Sequence, residues 1–208
     1  MSSEPDSLTI REWLTGQAGP LLTRAVEMFG PAMLDGWDIA GLIFSEDGPF
    51  VRHVPELGQK LLIVLSPKAE TDRDEALFQI SHELVHCLYP IAGRRPPMIE
   101  EGCCVKFSLE APAYRTPGYA AQSVDGMLAN PEALNYAIAH MTVQDLLAVD
   151  PDAIRKLRAR EPNWNRITPE MILETVPAFA PGLAFLLCDV RDMHDTAWVK
   201  APDQGHEA

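Results

Sequence analysis

The sequence predicts an α+β fold: a small antiparallel or mixed sheet near the N-terminus, a helix bearing an HExxH motif, a second helix behind it, and a mostly helical C-terminal half. Three observations predict it. Short apolar runs separated by turn-formers are confined to residues 37–66; beyond Pro67 the apolar residues recur three or four apart; and several later segments open on proline, which suits the first turn of a helix because it lacks an N–H. A hydrophobic share of 47% over 208 residues is enough for a single core. Residues 1–192 therefore read as one domain and 193–208 as a polar, flexible tail.

Taken in order, the opening third predicts helices over residues 8–15 and 20–29, the second ending at Gly30. WDIAGLIF (37–44), PFVRHV and KLLIVLSP follow, with SEDGP and other turn-formers between them, and read as three strands of an antiparallel meander. ETDRDEALFQISHELVHCLYPIAG then offers Thr71 or Asp72 as N-cap, acidic residues in the first turn and Gly93 as terminator. This predicts a helix of about five turns. Its buried stripe is Leu77, Ile80, Leu84 and Leu88. A second helix is expected near Pro97, in MIEEGCCVKFSLE, and further helices over 119–128, 131–149 after an Asn130 cap, 151–160, 169–176 and 181–190.

Composition excludes several functions. A net charge of −13 repels nucleic acid and anionic membranes. No run approaches the roughly 20 apolar residues of a membrane span, and MSSEPDS lacks the basic start of a secretory signal. A cytoplasmic monomer with no nucleic-acid or membrane partner is the expectation. Cys87, Cys103, Cys104 and Cys188 show no CxxC spacing, which argues against a disulfide framework or a thiolate zinc site and reads as buried structural thiols. DPDAIRKLRARE reads as a solvated helix face.

SHELVH carries the chemistry. Residues four apart lie one helical turn above each other, so His82 and His86 present their imidazoles to one ion, and zinc accepts such nitrogens. Glu83 sits about 100° round the helix from His82, within reach of a water at that ion without ligating it. The stripe of Ile80, Leu84 and Leu88 is roughly opposite. A catalytic zinc needs a third protein ligand, and the short loop IAGRRPP returns the chain into a helix bearing Glu100 and Glu101. Either carboxylate completes the set.

HELVH followed by EEG resembles the gluzincin metallopeptidases, whose HExxH helix is followed by a second helix supplying a glutamate ligand, in several branches directly before a glycine. The likeness spans residues 61–109 and is closest to compact minimal gluzincins. It implies His82, His86 and Glu101 as zinc ligands, Glu83 as general base, and hydrolysis of a peptide or protein substrate. It further implies an edge strand above the site that pairs with an extended peptide, KLLIVLSP or WDIAGLIF filling that role. The aminopeptidase signature and the motif that positions a second catalytic histidine in thermolysin are both missing.

Tyr89, Tyr114, Tyr119 and Tyr136 read mostly as packing residues; one of them, Tyr119 first, with Tyr114 and His140 behind it, is the expected hydrogen-bond donor to a developing oxyanion. His53, His194 and His206 read as surface or hydrogen-bonded histidines. Two rival functions use the same residues: a noncatalytic zinc or peptide-binding module, and an amidase acting on a nonpeptide substrate.

Overall fold

Residues 8–33, 37–110 and 112–196 are described by a computed structural model of the chain. The first element, α1 (Ile10–Phe29), starts with a capping box: Thr9 Oγ1 accepts from Glu12 N–H at 3.2 Å, and Glu12 returns the bond to Thr9 N–H at 2.9 Å. The two helices expected here are one. Pro20 lies inside α1, yet Trp13, Leu14, Leu21, Ala25 and Phe29 make one buried stripe across it. The burial holds the helix together where the proline removes a single backbone bond.

Three strands follow, β1 (Asp38–Phe44), β2 (Phe50–Val54) and β3 (Lys60–Leu65), in the order β1-β3-β2. β3 pairs antiparallel with β2 but parallel with β1, so the sheet is mixed and the expected meander is corrected. The turn between β1 and β2 carries the chain from one edge of the sheet to the other. The reason lies in composition: Leu61, Ile63, Val64 and Leu65 are all buried, and a strand apolar on both faces is most stable in the centre.

The rest of the described chain is helical: α2 (Arg73–His86), α3 (Met98–Glu110), α4 (Tyr119–Ala129), α5 (Leu134–Val149), α6 (Ala153–Arg160), α7 (Pro169–Thr175) and α8 (Pro181–Leu187). Among the described residues no helix is long and apolar enough to cross a membrane.

Several boundaries move for physical reasons. Asp72 caps α2, accepting from Asp74 and Glu75 N–H, but the helix ends at His86, not near Gly93. Pro90 bars Tyr89 from the helical region and has no N–H of its own. Pro131 and Pro151 lie in turns ahead of α5 and α6, whereas Pro169 and Pro181 open α7 and α8 as expected. The run at 150–160 keeps Arg155, Lys156 and Arg160 on an exposed face as expected, but Arg158 is buried, lies over the Trp164 ring, and donates to the carbonyls of Phe29, Gly30 and Pro31.

At the C-terminal end, residues 193–196 pack against α5 instead of starting a tail. Met193 is buried, and Asn135 Nδ2 donates to the carbonyls of Met193 and Asp195 at 3.1 Å each. The remaining tail expectation, residues 197–208 with His206, lies outside the described residues.

Candidate metal centre

α2 and α3 lie side by side, and their buried faces build the site. Ile80 and Leu84 of α2 face the core as expected, with Leu88 just beyond it. The polar face is not outward, however: Ser81 and Glu83 are buried too, and no residue of α2 is exposed. His82 and His86, with Glu83 and Glu75, Phe78 and Gln79 of the preceding turns, line a cavity of roughly 480 Å³. The ring centroids of His82 and His86 are 5.1 Å apart.

Glu101 meets both rings. Its Oε2 is 3.1 Å from His82 Nε2, and its Oε1 is 3.8 Å from His86 Nε2. Donors that share one tetrahedral zinc at about 2.0–2.2 Å lie roughly 3.3–3.6 Å from one another, so these separations bracket what the ion needs. Glu100 is turned elsewhere. Its Oε1 is 2.8 Å from His86 Nδ1, and both its oxygens are bonded by the Arg94 guanidinium.

The charge balance also fits a divalent cation. Glu83, Glu100 and Glu101 are buried together beside two imidazoles, with Arg94 bonded to Glu100; His86, which burial alone would lower, is raised to about 9 by Glu101 and Glu100. Burying carboxylates together is costly unless cations join them.

Two of these carboxylates, equally deep, titrate in opposite directions. Burial raises Glu83 above the ordinary carboxylate range, with His86 and His82 opposing it and failing to cancel it. Burial acts on Glu101 in the same sense, but the charge of His86 and the hydrogen bond from His82 outweigh it and hold Glu101 low. Environments that push neighbouring acids apart divide them into a proton carrier and a fixed anion. Glu83 Oε2, in keeping, is buried with no hydrogen-bond partner.

The structure brings His82, Glu83, His86 and Glu101 together in the cavity, as the sequence led us to expect. It does not bring the expected oxyanion donors. Tyr119 donates to Glu75 Oε2 at 3.2 Å, Tyr114 donates to the Ser108 carbonyl, and His140 is buried outside the cavity. Tyr136 of α5 and His194 line the cavity instead, their rings edge to face with centroids 5.7 Å apart and Tyr136 also 5.9 Å from the His82 ring. His194 Nδ1 lies 3.1 Å from the Glu132 carbonyl, an acceptor that sets this nitrogen as the protonated one. His53, on β2, lines the cavity too and has a buried, unpartnered Nε2. His53 and His194 thus both line the cavity, and His194 is at the same time exposed and hydrogen-bonded, as expected.

Cys104 was not foreseen. One turn along α3 from Glu101, it joins His82, His86 and Glu101 as a group whose donor atoms lie within 4.8 Å of one another. Its Sγ is 3.7 Å from both ring nitrogens of His86, a position over the ring and not along either lone pair. Burial, reinforced by Glu101 and Glu100, keeps the thiol protonated far above its ordinary range. The signal was present in the spacing: Glu101 and Cys104 are three apart on one helix.

Gly102 explains how α5 comes so close. A Cβ there would lie 2.4 Å from the Ala139 carbonyl oxygen and 2.6 Å from Val143 Cγ2. Only glycine admits the backbone of α5, which carries Tyr136 to the site. Compared with known proteins, the chain matches no family model, no curated protein and no solved structure.

Proposed function

We propose that the chain is a zinc-dependent peptide hydrolase in which His82, His86 and Glu101 hold the ion and Glu83 is the general base. The observation that carries this reading is the convergence of those three donors beside the unpartnered Glu83 carboxylate, on the wall of a cavity large enough for a small peptide segment. Bound zinc supplies Lewis-acid polarisation of a water and of the scissile carbonyl. Glu83, raised by burial, takes the proton from the attacking water and hands it to the leaving nitrogen. Tyr136, next to His82, and His194 beside it offer hydrogen bonds into the same cavity.

Substrate binding falls to β2. β3 is paired on both sides and cannot accept another strand, and β1 is an edge on the far side of the sheet. β2 is the edge whose Phe50, Val51 and His53 line the cavity, so an extended peptide laid against it passes the site. This replaces the two strands suggested by sequence.

A second reading, a closed noncatalytic zinc site, is favoured only by Cys104, which would have to turn off the His86 ring to become a fourth ligand. Metal content and cleavage of a peptide library, measured on untagged wild type, His86→Ala and Glu83→Gln, separate the two. We expect about one zinc in wild type and Glu83→Gln, none in His86→Ala, and roughly 10²–10⁴-fold slower cleavage by Glu83→Gln. Wild-type cleavage rates in Glu83→Gln would sink the hydrolase; a folded wild type that stays empty after zinc is added would sink the site.

A further inference from the structure

Histidine has two ring nitrogens, and a neutral imidazole can ligate a metal through one only while the other carries the proton. His82 presents Nε2 to Glu101 directly. His86 is different, because its Nδ1 faces Glu100 and its Nε2 faces Glu101. Whatever fixes Glu100 therefore fixes which His86 nitrogen is left for the ion.

Glu100 is wholly buried, so water does not orient it. Arg94 does. Its Nη2 donates to Glu100 Oε1 at 2.6 Å and its Nη1 to Oε2, a fork that leaves the carboxylate little freedom to rotate. The guanidinium is held in turn: Nη2 donates to the Tyr89 carbonyl at 3.1 Å and Nη1 to Asn165 Oδ1 at 3.0 Å. Asn165 is anchored by its own Nδ2, which donates to the Arg95 carbonyl at 2.9 Å. A chain of directed bonds thus runs from Asn165 through Arg94 and Glu100 to one ring.

We propose that Arg94 is a positioning residue that acts through Glu100, keeping the His86 proton on Nδ1 and Nε2 free for the metal. The inference rests on the proposed metal site and names a residue outside its ligands. A guanidinium suits the task where an ammonium does not, because only a planar fork meets both carboxylate oxygens while still reaching Tyr89 and Asn165. The effect is specific to one ring: His82 has no bond to Glu100 or Arg94.

The test is zinc affinity by competition with a chromophoric chelator, together with long-range proton–nitrogen NMR of the histidine rings, for wild type, Arg94→Ala and Arg94→Lys. Loss of a group that orients a metal ligand costs about 10–100-fold in affinity. We expect that loss in Arg94→Ala, a smaller loss in Arg94→Lys, disturbance of the His86 Nδ1–H signal with His82 unchanged, and partial recovery of Arg94→Ala on adding guanidinium. Affinity within about twofold of wild type in folded Arg94→Ala overturns the proposal, as does a loss that guanidinium does not reverse and that leaves the His86 signal unchanged. Should Arg94→Ala not fold, wild-type affinity in Arg94→Lys overturns it. Failure of the underlying site reads differently, as absence of zinc binding in wild type itself.

Discussion

α2 and α4 are both helices beside the cavity, and they are held in opposite ways. Nine residues of α2 are buried and none is exposed, whereas α4 has no buried residue. α2 sits between α1, β3 and α3, so its position is over-determined by packing. α4 rests on a half-buried row, Tyr119, Ser123 and Met127, and on a latch at its start. There, buried Asp74 of α2 accepts from the backbone N–H groups of Arg115 and Thr116 at 2.8 Å each, and Tyr119 reaches Glu75. His82 and His86 sit on the element that packing holds fixed, and Met127 lines the same cavity from the one that can yield.

The largest effect is expected where the rigid part is closest packed. Gly102→Ala puts a methyl 2.4 Å from the Ala139 carbonyl, and a backbone atom inside a helix yields far less than a side chain. We expect a loss of about 2–3 kcal/mol in chemical denaturation. Helix propensity alone points the other way, to a gain of about 1 kcal/mol. Stability at or above wild type would mean that α3 and α5 are less tightly apposed than the structure has them.

The same contrast governs what was legible in the sequence. His82, Glu83 and His86 share one turn of helix, so local spacing was enough to find them; on the next helix it narrowed the third carboxylate only to Glu100 or Glu101, and the resemblance chose Glu101. Tyr136, His194, His53 and Arg94 come from α5, the C-terminal segment, β2 and a loop, and no local pattern joins them. Only the tertiary fold does so. The small sheet was legible but its strand order was not, for a related reason: a short turn between β1 and β2 reads as a hairpin, and the signal that β3 is central was its double-sided apolarity, not any turn. Pro20 marked a break that packing overrode.

The latch should respond to acid. Burial raises the Asp74 carboxyl, but the hydrogen bond from the Thr116 side chain and those from the backbone of Arg115 and Thr116 prevail and hold it below the ordinary range. A depressed folded-state value means that its contribution is present above the unfolded value and is lost as pH falls through the folded one. Asp74→Ala should cost about 1–2 kcal/mol near neutral pH, with the difference from wild type shrinking in acid below the usual carboxylate range. Hydrogen exchange should quicken over residues 115–129 and stay slow in α2. A deficit that holds constant into acid would show that the Asp74 charge does not make the latch.

The smallest effect belongs to the outer face of α4. Leu128 continues the row of Ala120 and Val124 but is 46% exposed, so that row loses its cover one turn before the helix ends. Leu128→Gln removes little buried area and keeps a good helix former, and should change stability by less than about 0.5 kcal/mol. Neighbouring Met127, turned into the cavity, is untouched. A measured loss above about 1 kcal/mol would mean that Leu128 is covered in solution, and that α4 is held by more than its latch and its half-buried row.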